Sequence, residues 1–432
     1  MPTPQRAAAP AGTAKRPANL KAIAHVVIII QENRTVDDLF NGFPGAHTVK
    51  SGLNSSGQMV PLKLIKLTAP YLLYHEHKSF VAEYDNGKLD GWNLDASHCE
   101  QPHQCPPKPR RAFGYVPQKE TKPYWTMAEQ YAFADSMFQT NQGPSYPAHQ
   151  YLISGTSTIS DSSTLRAAEN PYNTEHFSGP YGGCDSPIGT LVSLIDQNGK
   201  EGQRAYPCFN RVSLAHVLDN HRLTWRYYQD SPGPGLWKAY DSIREIRFGH
   251  RYQNVITPSA QVLTDIGRGK LANVTWVTPS VEASDHSGTT NGTGPSWVAS
   301  VVNTIGESKF WNSTVIFVTW DDWGGWFDHV KPPQYNSYEL SFRVPLIVIS
   351  PYAKAGYVSH VPHEFGSILK FIEQNFALPS MHTTDVRADN LSDCFNSSNA
   401  PRRFEKIDVP LGPRYFLSRP PSNEGLDSGP DD

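Results

Sequence analysis

Acidic and amide side chains directly follow two strongly apolar segments of the sequence. These side chains are Glu32, Asn33, Asp321 and Asp322. The two segments, 24–30 (AHVVIII) and 314–320 (TVIFVTW), have the length and composition of strands buried on both faces of a parallel sheet. Because ligands collect at the carboxyl ends of such strands, we expect these oxygen-bearing side chains to bind a hard cation.

Both groups also have an ordinary structural interpretation. Asn33 or Thr35 is suited to cap a helix that begins near Val36. Aspartates followed by two glycines, as in the segment 321–325, are common in solvated turns. Adjacent carboxylates repel each other after a buried strand, however, and a metal ion is the simplest source of compensating charge.

Ser145 lies between a Gly-Pro pair and a second proline in the segment 141–149 (NQGPSYPAH). Prolines stiffen the backbone, so this segment would hold the serine hydroxyl in place at the start of a helix, where peptide dipoles favour an anion. A simple loop is the alternative. The pattern differs from the GxSxG turn of α/β-hydrolases, because Pro147 occupies the position of the second glycine.

Histidines stand beside acidic residues in three places. They are His75 and His77 around Glu76, His286 after Asp285, and His329 after Asp328. A single histidine is more often a structural hydrogen-bonding group than a catalytic one. Three such groups in a chain with acidic strand ends favour a site where imidazolium donors meet phosphate oxygens, which would suit mildly acidic pH.

Apolar strands alternate with segments that carry apolar residues at helical spacing. A third strand is predicted at 344–350, and helices are predicted at 189–197, 212–219, 296–307 and 365–376. This order predicts an α/β fold with a mainly parallel sheet. We expect a flexible leader at 1–20, a single catalytic domain at 21–415 and a disordered tail at 416–432.

Bulk composition excludes several classes of protein. The chain has 432 residues with 38 basic and 41 acidic side chains, and this balance does not fit a nucleic-acid binder. The longest apolar run, 26–30, is far shorter than the roughly 20 residues of a membrane-spanning helix. The leader also lacks the hydrophobic segment of a signal peptide.

The cysteines favour an oxidising compartment. Disulfides are expected between Cys99 and Cys105 and between Cys184 and Cys208, which leaves Cys394 free. A metal knot that combines the first pair with His98 and His103 is the alternative, although its spacing matches no usual zinc pattern. We therefore predict a secreted or periplasmic protein.

Four segments, in order, resemble the bacterial phosphoesterase family of phospholipases C and acid phosphatases, in the alkaline-phosphatase-like superfamily. They are HVVIIIQENRTVDDLF, GPSYPAHQYLISGTS, FVTWDDWGGWFDHVKPP and FRVPLIVISPYAKAGYVSH with the following EFGSILKFIE. The resemblance implies a three-layer sandwich with helices around a central, mainly parallel sheet, and a site at the strand ends.

The resemblance also implies a role for each candidate residue. Ser145 matches the nucleophile and a further metal ligand. The metal ligands that match are Glu32, Asn33, Asp321 and Asp322, for a divalent ion such as Ca, Mg, Mn, Fe or Zn. The phosphate-binding histidines that match are His286, His329 and either His75 or His77, of which spacing to Gly87-Lys88 favours His75.

The sequence departs from the family pattern in two places. Ala148-His149 stands where members often have Asn-Arg, which puts substrate contacts there in doubt. The pair Asp321-Asp322 resembles the acid phosphatases, whereas phospholipases C commonly have Asp-Glu. The last matching segment lies close to the end of the chain, so we expect the further domains of larger phospholipases C to be missing.

The predicted function is metal-dependent hydrolysis of small-molecule or lipid phosphate esters through a phosphoserine intermediate. The absence of an obvious lipid-binding helix favours an acid phosphatase that also cleaves some diesters. A true phospholipase C acting on phosphatidylcholine-type diesters is one alternative, and a catalytically inactive binding protein is another. The tryptophans at 320, 323 and 326 would either box a choline group or be core aromatics.

Overall fold

A computed structural model describes residues 22–94, 96–99, 102–175, 180–396 and 400–421. The predicted leader and residues 422–432 of the predicted tail lie outside the described residues. The α-helices in this part of the chain are α1 (Val36–Leu39), α2 (His77–Tyr84), α3 (Lys122–Gln130), α4 (Ser145–Ser154), α5 (Leu214–Asn220), α6 (Arg244–Arg247), α7 (Gln261–Gly267), α8 (Gly294–Gly306), α9 (Phe365–Phe376) and α10 (Pro413–Leu417).

The strands of the same part are β1 (His25–Gln31), β2 (Ser51–Leu53), β3 (Met59–Pro61), β4 (Lys63–Leu64), β5 (Leu72–Leu73), β6 (Ser97–His98), β7 (Gly114–Tyr115), β8 (Ala132–Ala134), β9 (Met137–Phe138), β10 (Arg166–Ala167), β11 (Tyr172–Asn173), β12 (Thr190–Ile195), β13 (Glu201–Ala205), β14 (Trp225–Tyr228), β15 (Val255–Ile256), β16 (Val274–Val277), β17 (Thr314–Trp320), β18 (Leu346–Ile349), β19 (Tyr357–Ser359) and β20 (His363–Glu364).

Eight of these strands form a central sheet in the order β15-β14-β16-β1-β17-β18-β8-β19. Neighbouring strands are parallel except at β18, which runs antiparallel to both β17 and β8. The apolar segments predicted as strands are β1, β17 and β18. Every residue of β17 is buried, and so are residues 26–31 of β1, as expected of strands covered on both faces. The prediction of a mainly parallel sheet is confirmed.

Helices cover both faces of this sheet. Phe317 and Trp320 lie three residues apart on β17, so their side chains point to opposite faces. Phe317 packs against Phe371 of α9 with ring centroids 5.2 Å apart. Trp320 packs against Tyr124 of α3 at 5.0 Å. Helix α4 lies beside α9 and α8 lies beside α3, which completes the predicted three-layer sandwich.

One predicted helix is wrong. The helices expected at 212–219, 296–307 and 365–376 are present as α5, α8 and α9, but residues 189–197 contain strand β12. This strand pairs antiparallel with β13, and its first four residues alternate between buried and half-buried. Val192 and Leu194 pack with Phe209 in a small apolar cluster. Pairing with β13, the strand that follows β12 in the chain, therefore decides the structure of this segment.

Ordered packing extends past the predicted start of the tail. Helix α10 includes Phe416, which is buried. Its ring lies 5.3 Å from that of Trp297 on α8.

Both predicted disulfides are present, at Cys99–Cys105 and Cys184–Cys208, so the metal-knot alternative is wrong. Cys394 is free and buried. Two disulfides are consistent with an extracellular or periplasmic protein. None of the helices in the described residues is both long and apolar enough to cross a membrane.

This cysteine arrangement predicts a specific alkylation pattern. The folded, unreduced protein should take up no thiol reagent, because Cys394 is fully buried. The denatured, unreduced protein should take up one equivalent at Cys394, and non-reducing peptide mapping should find both disulfide links. Labelling of Cys99 or Cys184 without reduction would contradict the assignment.

Candidate active site

The two acidic segments meet because β1 and β17 are adjacent parallel strands. Gln31 is paired with Trp320 at the ends of these strands, so the next residues, Glu32 and Asp321, leave the sheet together. The Asp321 amide donates to the Gln31 carbonyl at 2.9 Å. The Asn33 amide donates to Asp321 Oδ1 at 3.0 Å. The predicted convergence of these residues is therefore seen in the structure.

The backbone turns sharply on both sides of this contact. Asn33 has a φ of +62°, and Gly324 has a φ of +60°. A Cβ on Gly324 would lie 2.5 Å from the Asn33 carbonyl oxygen, which no side chain tolerates. Thr35 provides the cap of α1, since its hydroxyl accepts from the Asp38 amide at 3.1 Å. Thr35 therefore caps the helix, and the Asn33 side chain is left to serve as a metal ligand.

Ser145 is the first residue of α4. Its hydroxyl donates to Asp322 Oδ2 at 3.0 Å. The turn before it is fixed because side-chain amides of Gln139 and Asn141 donate to the Gly143 carbonyl at 2.6 and 2.9 Å. The predicted helix start is confirmed and the loop alternative is wrong. At this position the peptide dipoles of α4 favour negative charge at the serine oxygen.

The structure distinguishes the two histidines of the HEH segment. His75 Nε2 lies 2.9 Å from Asn33 Nδ2 and 3.6 Å from Asp322 Oδ2, while its Nδ1 bonds the Leu73 carbonyl at 2.9 Å. His77 Nδ1 instead lies 2.8 Å from Glu201 Oε1. His75 therefore lies beside Asn33 and Asp322, whereas His77 is bonded to Glu201.

His286 lies next to the end of β1. Its chain segment is tied there by two bonds, from the Glu32 amide to the Ser284 carbonyl at 2.8 Å and from Arg34 Nε to the Asp285 carbonyl at 2.9 Å. The imidazole is buried, and its Nδ1 lies 2.9 Å from the Ser287 carbonyl. These contacts hold the backbone before His286 against the residues that follow β1.

His329 belongs to a different cluster. Its Nδ1 lies 2.6 Å from Asp37 Oδ2, and Arg343 pairs with Asp328 at 2.9 Å and with Asp37 at 3.5 Å. Within the described residues, the contacts of His329 do not include Ser145 or a predicted metal ligand. Partial burial lowers the pKa of His329, but the hydrogen bond and charge of Asp37 outweigh it, so the net pKa is raised.

His149 joins the site, although its role was not predicted. Its Nε2 lies 3.1 Å from Glu32 Oε1 and 3.6 Å from Asp321 Oδ2. Burial lowers the pKa of His149 to about 4. The available signal was its position four residues after Ser145, which places both on one face of the predicted helix.

The buried oxygens of this cluster fit a metal ion. The side chains of Glu32, Asp321 and Asp322 are fully buried. Within the described part of the chain, no lysine or arginine pairs with Glu32 or Asp321, and Oε2 of Glu32, Oδ1 of Asn33 and Oδ2 of Asp321 have no hydrogen-bond partner. Burial, and then the charge of Asp321, raises the pKa of Glu32 well above its usual range. These groups suggest a divalent metal, whose charge would hold the carboxylates ionised.

The three tryptophans of the acidic segment are core aromatics. Trp320, Trp323 and Trp326 are fully buried. Their indole contacts are structural: Trp323 Nε1 donates to Glu83 at 2.8 Å, and Arg34 lies over the Trp326 ring at 5.0 Å. The choline-box interpretation of this group is therefore wrong.

The His329 cluster predicts a pH-dependent contribution to stability. A pKa that is raised on folding stabilises the protein below the unfolded value of about 6.5 and ceases to do so as pH rises through the folded value. His329→Gln should lower the melting temperature by about 1–2 °C at pH 5.5, with a smaller effect at pH 9. The exposed His221→Gln is the matched control. A loss that grows with pH would contradict this assignment.

Two curated bacterial proteins are similar to this chain over most of its length. The non-hemolytic phospholipase C of Pseudomonas aeruginosa is 24% identical over 92% of this chain, which spans 61% of that protein. Phospholipase C A of Mycobacterium tuberculosis is also 24% identical, over 90% of this chain and 80% of that protein. This chain thus spans less than two thirds of the Pseudomonas relative.

A solved structure titled as a protein in the alkaline phosphatase superfamily, from Vibrio parahaemolyticus, covers 89% of this chain and 71% of its own, with 10% identity and a TM-score of 0.41. The model of the phosphoesterase family matches residues 23–379, which include every predicted site residue. Together with the named relatives, this match supports a phosphoric ester hydrolase. The chain belongs to the phosphoesterase family.

Proposed function

We propose that this chain hydrolyses phosphate esters in two steps, with Ser145 as the nucleophile and a divalent metal ion held by the neighbouring buried oxygens. The observation that carries this proposal is the hydrogen bond from the Ser145 hydroxyl to Asp322, at a helix start. Beside it, Oε2 of Glu32 and Oδ2 of Asp321 are buried without a hydrogen-bond partner among the described residues. The catalytic unit we propose is residues 21–415, acting in an extracellular or periplasmic compartment.

The residues around Ser145 are arranged to receive a phosphate group. The N-terminus of α4 offers peptide dipoles that favour anionic oxygens. His75 and His286 border the same strand ends, and Asn33 holds the His75 ring through its side-chain amide. We assign these two histidines to the equatorial phosphoryl oxygens, where N–H donors stabilise the transition state. For His75, this requires that Nε2 carries a proton and exchanges its contact with Asn33 for one with the phosphate. We do not assign His329 to the phosphate, because its imidazole contacts Asp37 and its described contacts do not include Ser145.

In the first step, Ser145 Oγ forms a bond to phosphorus while the bond from phosphorus to the ester oxygen breaks. Asp322 Oδ2, which accepts the serine hydrogen bond, would take the serine proton. The departing ester oxygen would take a proton from His75 or His286. In the second step, water forms a bond to phosphorus while the bond from Ser145 Oγ to phosphorus breaks. One water proton returns to the histidine, the proton on Asp322 returns to Ser145 Oγ, and the product is phosphate from a monoester or a phosphomonoester from a diester. A bound divalent ion would supply Lewis-acid stabilisation of the phosphoryl oxygens.

Two substrate classes remain in competition. The pair Asp321-Asp322 led us to predict a broad, acid-phosphatase-like monoesterase. The names of the relatives favour the second candidate, a phospholipase C that cleaves lipid diesters. The three tryptophans are buried and do not form a choline site. A phospholipase C would therefore have to contact the lipid headgroup through other residues.

Replacing Ser145 by alanine tests the nucleophile. We expect kcat on p-nitrophenyl phosphate to fall by about a thousandfold or more, because the covalent step is lost. Ser213→Ala is a matched control, since Ser213 is also a buried serine at a helix start, where it caps α5. The control should lose about 1 kcal/mol of stability and keep its turnover. Near wild-type turnover by the Ser145 variant would sink the assignment, and a wild-type protein without turnover on any ester would favour a binding protein.

Substrate class is tested by comparing kcat/KM for soluble monoesters with that for phosphatidylcholine or a soluble diester mimic, at pH 5.5 and 7.5. Our proposal expects the monoester to be favoured, more strongly at the acidic pH. A tenfold preference for the diester, which is about 1.4 kcal/mol of transition-state stabilisation, would make the phospholipase the correct function.

A further inference from the structure

His149 occupies a position that points its imidazole toward the buried carboxylates. It lies one helical turn after Ser145 on α4, so both residues share the face that meets the ends of β1 and β17. The ring is fully buried. No role follows for it from the family pattern, because members often have arginine there.

The distances match a shared ion. His149 Nε2 lies 3.1 Å from Glu32 Oε1 and 3.6 Å from Asp321 Oδ2. One donor atom from each of these residues falls within 4.8 Å of the other two. Ligands that each lie about 2.0–2.2 Å from a metal ion are separated from one another by roughly 3–4 Å, which the three atoms approach with small side-chain adjustments.

A simple hydrogen bond explains less of this arrangement. If His149 only donated to Glu32, it would satisfy one carboxylate oxygen. Oε2 of Glu32 and Oδ2 of Asp321 would remain buried without a hydrogen-bond partner among the described residues. An ion shared by the three side chains compensates both carboxylates at once, and buried charges without compensation are costly.

We propose that His149 is a ligand of the metal ion and makes the site selective for a borderline ion such as Zn²⁺ over Ca²⁺ and Mg²⁺. This inference rests on the proposed function, because it concerns the same ion. Oxygen-only sites suit the hard ions Ca²⁺ and Mg²⁺, whereas an imidazole nitrogen suits zinc and other transition metals. His149 thus changes the class of metal that the family's oxygen ligands alone would favour.

Metal affinities of the whole protein test this proposal. Dissociation constants for Zn²⁺ and for Ca²⁺ are measured by competition with a chromophoric chelator for wild type, His149→Asn and His149→Gln. We expect Zn²⁺ affinity to fall by about 100-fold in the variants, while Ca²⁺ affinity changes by less than about threefold. His25→Asn is the matched control, because His25 is a partly buried histidine at the opposite end of β1 and should leave both constants unchanged.

Parallel losses for Zn²⁺ and Ca²⁺ would show that His149 only positions Glu32, and unchanged constants would show that it does neither. Both results overturn the proposal. X-ray absorption at the zinc edge, on protein loaded with one equivalent, provides a measurement whose negative outcome needs no variant to fold. Outer-shell scattering from an imidazole ring that is present in wild type and lost in His149→Asn supports the ligand role, since His75 also lies near these ligands. The absence of such scattering from wild type overturns it. Retained turnover of metal-loaded wild type, alongside either negative result, would leave the proposed function standing.

Discussion

Burial of the carboxylates of Glu32, Asp321 and Asp322 at one edge of the sheet is the constraint on which this site depends. Removing like charges from water and placing them together is unfavourable unless a cation compensates them. The histidine that contacts Glu32 and Asp321 is kept neutral by its own burial, because its pKa is lowered to about 4. The fold therefore buries negative charge that a divalent ion is suited to compensate.

The fold brings these buried carboxylates together because two strands of the sheet are neighbours. Parallel pairing of β1 and β17 brings two acidic segments together at the edge where ligands collect. Left-handed backbone at Asn33 and Gly324 lets the segments approach closely after they leave the sheet. Helix α4 then presents Ser145 to Asp322, so that three separate elements bring the proposed nucleophile and the proposed metal ligands together.

Much of this arrangement was predictable from local sequence. Continuous apolar runs identified β1 and β17, and the residues directly after them had to meet if those strands were neighbours. The prolines around Ser145 indicated a fixed helix start. Each of these features follows from the residue types of one short segment, so it can be predicted without knowing the tertiary contacts.

Contacts between distant residues account for most of what was missed. Residues 189–197 are an exception, because their partner β13 is the next strand in the chain, and hairpin pairing prevailed over spacing that favoured a helix. His77 meets Glu201, and His329 meets Asp37 across 292 residues, so neither partner was visible locally. His149 is a different case. Its position four residues after Ser145 predicts that both lie on one face of the helix, but the family pattern, which often has arginine there, indicates a substrate contact and not a metal ligand.

The most direct test of the central claim is an anomalous scattering map of crystals grown from metal-replete protein. Our account predicts one ion peak among the side chains of Glu32, Asn33, Asp321 and Asp322, within coordination distance of their oxygens. A well-ordered map with these four side chains in place and no ion between them would contradict it.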